Sequence, residues 1–242
     1  MWEIDPVIVV GSSTHTGYVR AGNEDAVLCA DPVYVIADGM GGHAAGEVAS
    51  AIAVSTMSEL AGARLAPDLV VAQVREANRR VRTGGQGQGR QGMGTTLTGV
   101  VGLADGDWLV VNVGDSRVLL IRDGEIRQLT TDHSEVQVLV DRGLLTPEEA
   151  ASHPRRHIVT RSLGADDDVD VADERTQFMP GDRVLVCSDG LTDEVTADDI
   201  YWVMDTAENA QDAADALVAA ALSAGGRDNV TVIVIDVLAS AP

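Results

Sequence analysis

The sequence is poor in aromatic and in basic residues, and both shortages limit what the protein can do. Aromatic residues make up 3% of the 242 residues, so the core must be built mainly from valine, alanine, leucine and isoleucine. Lysine and arginine together number 17 against 38 aspartates and glutamates, giving a formal net charge of −21. Such a surface repels phosphate backbones and anionic lipids, which argues against binding to nucleic acid or to a membrane. A site that handles phosphate must therefore supply its own positive charge, as arginines or metal ions.

The chain also lacks a long apolar run and a cysteine framework. No stretch approaches the roughly 20 apolar residues of a membrane-spanning helix, and residues 1–10 contain no basic region or cleavage site typical of a signal peptide. Cys29 and Cys187 fit no metal or disulfide pattern, and each lies in an apolar segment that favours a buried thiol. These features predict a cytoplasmic protein, and its length and 45% hydrophobic content favour one domain.

The periodicity of apolar residues predicts mostly β-structure. Strands are expected at residues 6–10, 26–30, 32–37, 95–103, 107–113, 117–122, 125–130, 169–176, 182–187 and 230–237. Two Asp-Gly turns, in residues 104–108 and 122–126, predict that residues 95–130 form one antiparallel meander. Helices are expected near residues 49–60, 70–81 and 209–222, and after the N-caps Thr146 and Thr196. Helices that flank blocks of strands favour antiparallel sheets covered by helices.

Four aspartates lie beside these apolar runs. Asp38 directly follows one predicted strand, Asp189 follows another after Ser188, Asp115 follows "LVVNVG", and Asp228 precedes "NVTVIVID". Each Asp-Gly taken alone favours a turn, but if the strand ends converge, these like charges would take up protons or bind a cation. Oxygen ligands without a cysteine cluster indicate Mg²⁺ or Mn²⁺, and Gly39 leaves its carbonyl open as a further ligand. Together the four aspartates predict a metal site.

A single arginine precedes an acidic pair in "GYVRAGNEDA", residues 17–26. Arg20 lies four and five residues before Glu24 and Asp25, a spacing that fits a surface ion pair. The alternative is that its guanidinium group binds a phosphate beside the metal ions. Both interpretations remain open at this point.

Two further segments stand out from the strands and helices. Residues 83–94, "TGGQGQGRQGMG", lack the Lys-Ser/Thr ending of a phosphate-binding P-loop, so we expect a flexible surface connection. Residues 131–164 interrupt the strands with one or two short helices and carry three of the five histidines. This pattern predicts an insertion that covers a site.

Eight motifs follow one another along the chain. In order they are "GYVRAGNEDA", "ADGMGGHAAGE", "GMGTTLT", "VNVGDSR", "TTDHS", "HPRRHIVTRSLG", "CSDGLTD" and "GRDNVTVIVID". Together they resemble the metal-dependent serine/threonine protein phosphatases (the type 2C, or PPM, family), especially the bacterial ones. The resemblance extends from about residue 6 to residue 238, and its specificity comes from the order of the motifs rather than from any one of them.

The resemblance implies a fold and a function. The fold is α+β, a four-layer α-β-β-α sandwich of two antiparallel sheets flanked by helices, with residues 1–242 as a single catalytic domain and a flap at about residues 134–160. The function is hydrolysis of phosphoserine and phosphothreonine in proteins by a metal-activated water, opposing bacterial serine/threonine kinases. The expected partners are phosphorylated proteins, including such kinases, and the expected state is a monomer. The alternatives are a catalytically weak phosphoprotein-binding adaptor, and a phosphatase dedicated to one regulatory protein such as an anti-sigma-factor antagonist.

The resemblance also assigns residues to two core Mn²⁺ or Mg²⁺ ions. Asp38 would bridge the ions, with Asp189 and Asp228 on one and the Gly39 carbonyl on the other. Asp25, and with it Glu24, would hold water molecules that coordinate the ions.

A third ion and the chemical groups around the ions follow from the same resemblance. Asp115, Asp189 and Asp193 match the ligands of a third ion, which His157 could also contact. Arg20 would hold two phosphoryl oxygens.

The resemblance leaves the general acid open. Eukaryotic members place a histidine where this chain has Met40; the nearest histidine here is His43, a candidate general acid. The alternatives are that His43 only forms hydrogen bonds within its glycine-rich loop and that a water on the ions donates the proton.

Overall fold

The structure is a computed structural model that describes residues 6–41, 45–85 and 92–240. Its strands are β1 (Val7–His15), β2 (Asp25–Ala30), β3 (Val33–Met40), β4 (Gly94–Thr95), β5 (Leu97–Gly102), β6 (Trp108–Val113), β7 (Arg117–Arg122), β8 (Glu125–Gln128), β9 (Ala172–Thr176), β10 (Arg183–Cys187) and β11 (Val230–Leu238). Its helices are α1 (Ala45–Ser58), α2 (Pro67–Gly84), α3 (Glu135–Asp141), α4 (Pro147–Ala151), α5 (Asp189–Thr192), α6 (Ala197–Thr206) and α7 (Ala210–Ala224). Each strand and helix expected from the sequence is present, with shifted ends.

The strands form two antiparallel sheets. One has the order β1-β11-β10-β7-β8, and the other has the order β2-β3-β5-β6-β9, with β4 paired to β3. Helices α1 and α2 pack on the outer face of the second sheet, and α6 and α7 pack on the outer face of the first. The predicted α+β sandwich of four layers is therefore confirmed.

Each central strand buries both of its faces, which explains why its sequence is a continuous apolar run. On β3, Val33 and Val35 pack against the helices, whereas Tyr34 and Ile36 pack against the other sheet. Successive side chains of a strand point to opposite faces, so a strand between a helix layer and a second sheet needs apolar residues at every position. The side chain that follows Ile36 by two residues, Asp38, belongs to the face between the sheets.

The predicted single meander over residues 95–130 is wrong. The hairpin β5–β6 belongs to one sheet and the hairpin β7–β8 to the other, so the chain crosses between the sheets at Gly114–Ser116. Gly114 has φ = 121°, and a Cβ at this position would lie 2.5 Å from Thr96 Cγ2. Only glycine fits this crossing. The two hairpin turns are confirmed, and the second has positive φ at both Asp123 (53°) and Gly124 (81°), as a type I′ turn requires.

The segment of residues 134–160 leaves the sandwich and returns to the same place. A β-bridge joins Ser134 to Val159, and the Thr160 backbone N–H donates to the His133 carbonyl at 2.8 Å. Between these points lie α3 and α4, and α4 begins with the expected cap at Thr146, whose side chain accepts from the N–H of Glu149. The segment is thus an excursion whose ends are fixed together.

Three smaller expectations have mixed outcomes. Cys187 is buried, but Cys29 is exposed because β2 is an edge strand. In the low-complexity connection, residues 86–91 lie outside the described residues. Among the residues that the structure describes, none of the helices combines the length and hydrophobicity needed to cross a bilayer.

We predict that Gly99→Ala lowers the free energy of unfolding by at least about 2 kcal/mol, because an added methyl group has no space between β5 and β3. A Cβ at residue 99 would lie 2.1 Å from the Tyr34 carbonyl oxygen and 2.7 Å from Val35 Cα. Gly22→Ala is the matched control, since a Cβ there meets no atom within 4 Å. Urea unfolding of both variants is the measurement, and equal midpoints would contradict the packing argument.

Candidate metal centre and active-site cleft

The apolar layer between the two sheets becomes polar at one end, where the strands leave the core. On β3 the inward side chains run Tyr34, Ile36 and then Asp38, and on β11 the inward Ile233 is preceded by Thr231. The alternation that builds the core therefore also aims a carboxylate into the end of this layer. Asp38 lies in register with Asp25 on the neighbouring strand β2, so the two acidic residues are adjacent across the strand pair.

Asp25 has one satisfied and one unsatisfied carboxylate oxygen. Its Oδ2 accepts hydrogen bonds from Thr231 Oγ1 at 2.6 Å and from Ser188 Oγ at 3.1 Å. Its Oδ1 is buried and receives no hydrogen bond. Burial raises the pKa of Asp25 to about 6 despite the two hydroxyl donors. An unpartnered carboxylate oxygen beside other acids fits a site that binds a cation.

Asp38 and Asp189 both lie among other carboxylates at the end of this layer. Burial raises the pKa of Asp38 well above its ordinary value, and the nearby charges of Asp25 and Asp189 raise it further. Burial likewise raises the pKa of Asp189, followed by the charges of Asp115 and Asp193. The four aspartates expected to converge, with Asp228 as the fourth, thus do converge at one site.

Asp115 sits on the crossing between the two sheets, and a histidine holds that crossing. The Gly114 backbone N–H donates to the ring nitrogen Nδ1 of His133 at 3.0 Å, and the His133 backbone N–H donates to the Gly114 carbonyl at 2.8 Å. Burial and the Arg161 charge lower the pKa of His133 to about 4, so the ring stays neutral and can accept. Burial and the Asp132 charge raise the pKa of Asp115 to about 6. His133 therefore supports the site through its two hydrogen bonds with Gly114.

A second group of possible ligands lies beside α5. One ligand atom each of His157, Asp189 and Asp193 falls within 4.8 Å of the others. His157 Nδ1 is 3.0 Å from Asp193 Oδ2, and the Asp193 N–H donates to the Asp189 carbonyl at 2.8 Å. Burial raises the pKa of Asp193, while the nearby His157 lowers it. One nitrogen and two carboxylates are suitable ligands for a further cation.

Arg20 forms an ion pair, but with a more distant acid than the two that its sequence spacing suggests. Its Nη2 lies 2.5 Å from Asp228 Oδ2, and its side chain is 52% exposed. The Asp228 hydrogen bond is the main reason why the pKa of Arg20 is raised. Asp228 Oδ1 accepts from the N–H of Asn229 at 2.8 Å. Arg20 is thus held at the rim of the acidic centre.

Asn229 fixes the loop that carries Arg20 and Glu24. Its Oδ1 accepts from the Glu24 N–H at 2.7 Å, and its Nδ2 donates to the carbonyls of Thr16 at 2.8 Å and Gly22 at 3.0 Å. From the sequence alone, no supporting role is predicted for Asn229, Ser188 or Thr231. Their adjacency to Asp228, Asp189 and β11 was the available signal, but nothing in the sequence shows their partners.

Several of the residues described above line one cleft of about 700 Å³. The acidic residues that line it are Glu24, Asp38, Asp115, Asp189, Asp193, Glu194 and Asp228. The arginines that line it are Arg20, Arg156 and Arg227. Gly39 and Met40 contribute to its wall, as do Arg156, His157 and Val159 of the segment 134–160. The candidate general acid His43 lies outside the described residues.

Comparison with known proteins finds relatives over most of the chain. The family profile described as "Protein phosphatase 2C" matches residues 21–224. The serine/threonine protein phosphatase PstP of Mycobacterium tuberculosis is 40% identical over 242 residues, covering 98% of this chain and 46% of that protein. The chain thus spans about half the length of this relative. The serine/threonine phosphatase stp of Listeria welshimeri is 34% identical over 236 residues, covering 92% of this chain and 93% of that protein.

A solved structure has the same fold. The catalytic domain of the serine/threonine protein phosphatase PstP, in complex with two manganese ions, superposes with a TM-score of 0.86 at 38% sequence identity. The superposition covers 97% of this chain and 100% of that one. The likeness therefore extends over nearly all of both chains.

We predict that Mn²⁺ raises the melting temperature of the metal-free protein by about 5–10 °C at a concentration near 100 times its dissociation constant. Asp38→Asn should abolish this shift. Without metal the variant should melt at the same temperature as the wild type or higher, because it removes one of several buried like charges.

Thermal unfolding in EDTA and in Mn²⁺ is the measurement for this prediction. Asp215→Asn, an exposed position on α7, is the matched control and should keep the wild-type shift. A full Mn²⁺ shift in Asp38→Asn would contradict the placement of Asp38 at the metal centre.

Proposed function

Because the chain belongs to the protein phosphatase 2C family, we propose that it is a metal-dependent phosphatase that hydrolyses phosphoserine and phosphothreonine in proteins. The observation that carries the proposal is the acidic centre itself, where the buried Asp25 Oδ1 receives no hydrogen bond and lies among further carboxylates. Hard oxygen donors of this kind suit Mg²⁺ or Mn²⁺. The two manganese ions in the related PstP structure support the same choice.

We assign the core ligands to the residues at the strand ends. Asp38 would bridge two ions, Asp189 and Asp228 would bind one of them, and the Gly39 carbonyl would bind the other. Asp25 and Glu24 would act through coordinated water. In support, Asp38, Gly39, Asp189 and Asp228 line one cleft.

A third ion is part of the proposal. Asp115, Asp189 and Asp193 would bind it, and His157 is close enough to join them. We further propose that residues 1–242 form one catalytic domain in which residues 134–160 act as a flap, since Arg156, His157 and Val159 line the cleft.

The chemistry needs an activated water and a bound phosphoryl group. When bound, divalent ions would lower the pKa of a coordinated water, so that it could attack phosphorus in line with the leaving serine or threonine oxygen. Arg20, held on Asp228 at the rim, has N–H groups that can donate to two phosphoryl oxygens. Such contacts strengthen as negative charge develops on the phosphoryl oxygens in the transition state. The identity of the general acid, for which His43 is the candidate, stays a prediction.

The proposed substrates are phosphorylated proteins, including serine/threonine kinases. We also propose that the protein acts in the cytoplasm as a monomer. An adaptor would bind a phosphopeptide without releasing phosphate, and a dedicated phosphatase would act on one member of a phosphoprotein panel. The intact acidic set and Arg20 favour an active enzyme over an adaptor.

We predict phosphate release from a phosphothreonine peptide with Mn²⁺ or Mg²⁺ and none in EDTA. Asp38→Asn should lower kcat by at least about a thousandfold, since it weakens the ions that activate the water. Asp215→Asn should retain the wild-type rate. Activity that persists in EDTA, or an Asp38→Asn rate within about tenfold of wild type at saturating Mn²⁺, would contradict the proposed mechanism.

The two interpretations of Arg20 give different kinetics. If the residue only pairs with an acid, Arg20→Lys keeps the charge and costs at most about 1 kcal/mol. If it holds the phosphoryl group, Arg20→Ala should lower kcat/KM by roughly 10²- to 10³-fold, and Arg20→Lys should restore only part of the loss.

Inhibition by free phosphate is the second readout for Arg20. We expect it to weaken in Arg20→Ala in parallel with kcat/KM, while the Mn²⁺ dissociation constant changes little. Wild-type phosphate inhibition in Arg20→Ala would indicate that Arg20 only forms a structural ion pair with Asp228.

A further inference from the structure

Arg227 is one of two arginines at the cleft, with Arg156, that the proposed mechanism does not use. Its side chain is 70% exposed while it lines the cleft, and its Nη1 donates to Glu194 Oε2 at 2.8 Å. The third arginine of the cleft, Arg156, is less exposed at 36% and lies 3.8 Å from Asp193. Arg227 therefore presents the most accessible positive charge among the arginines of the cleft.

Glu194 anchors Arg227 from the protein side. The Glu194 side chain is only 4% exposed, and its Oε1 also accepts from the Arg227 backbone N–H at 3.1 Å. Gly225 leaves space for this pair, because a Cβ there would lie 2.9 Å from Glu194 Oε2 and 3.2 Å from Arg227 Cζ. A guanidinium group has five N–H donors, so one edge can stay on Glu194 while another faces the solvent.

The segments that carry Arg227 and Arg20 are in contact. The Tyr18 N–H donates to the Gly226 carbonyl at 2.7 Å, which joins the loop of Arg20 to the segment of Arg227. Asp228, the next residue after Arg227, holds Arg20. A peptide whose phosphate lies at Arg20 would therefore bring a neighbouring residue to the same side of the cleft as Arg227.

We propose that Arg227 binds an anionic side chain next to the phosphorylated residue of the substrate, either a carboxylate or a second phosphate group. The proposal rests on the proposed phosphatase function and adds a preference within its substrates. With a formal charge of −21, the protein as a whole repels such a peptide, so a local cation has to offset the repulsion. Anchoring by Glu194 reduces the conformational entropy that Arg227 loses when it binds the anion.

The test compares three phosphothreonine peptides that differ only in the flanking residues: alanine, glutamate, and a phosphonate analogue of phosphoserine that is not hydrolysed. At low ionic strength the wild type should have a kcat/KM about three- to tenfold higher for glutamate than for alanine flanks, mainly through KM. The ratio should fall in high salt, because screening weakens exposed charge pairs. A preference for the phosphonate peptide alone would identify the anion as a second phosphate.

Variants of Arg227 decide whether this residue is responsible. In Arg227→Ala the ratio of kcat/KM between glutamate and alanine peptides should fall to about one, and Arg227→Lys should keep part of it. Arg227→Glu should reverse the preference toward a lysine-flanked peptide, a gain that a merely unstable variant does not produce. Arg79→Ala is the matched control, since Arg79 is also exposed (62%) and paired with a glutamate, but lies on α2.

The outcomes separate this inference from the proposed function. If the wild type hydrolyses none of the peptides with Mn²⁺, the proposed function fails. If it hydrolyses all of them with equal kcat/KM, or if Arg227→Ala leaves the ratio unchanged, the function stands and the role of Arg227 is wrong. If Arg227→Ala does not fold, Arg227→Lys and Arg227→Glu decide by the same ratio.

Discussion

The repulsion among carboxylates at the end of the layer between the sheets is the constraint on which the rest of the structure depends. Burial raises the pKa values of Asp25, Asp38 and Asp189, and the charges of neighbouring acids add to the shift of each. A fold that relied on this region for stability would place apolar residues there. The protein instead keeps an arrangement that costs free energy until a cation is present, which is typical of a functional site.

The packing of the two sheets offsets the free-energy cost of this repulsion. The layer between the sheets contains fully buried residues from both, such as Ile36 on β3 and Ile233 on β11. The helices cover the outer faces, so the strands cannot move apart to relieve the charge. Neutral donors then fix the acids in place, as Ser188 and Thr231 do for Asp25. Hydroxyl donors orient a carboxylate without neutralising it, and so leave its charge available to a metal ion.

The sequence predicts what depends on local pattern and misses what depends on distant partners. The apolar runs locate the strands, and the aspartates beside them locate the acidic centre, because strand periodicity is a property of neighbouring residues. The crossing at Gly114 was missed, since it depends on His133, which is 19 residues away. The partner of Arg20 was missed for the same reason, because Asp228 is 208 residues away. Sequence spacing offered nearer acids, and only the fold brings the distant one closer.

The acidic residues and the arginines of the site lie on different kinds of structural element. Of the proposed metal ligands, Asp38 lies on β3 and Asp189 begins α5 just after β10, so a small displacement of either element would change the distances between the charges. Arg20 and Arg227 lie on loops that are joined by a backbone hydrogen bond between Tyr18 and Gly226. Loops tolerate substitution better than core strands do. Under the proposed role of Arg227, a change at that position would therefore alter the preference among substrates while the acidic centre keeps its geometry.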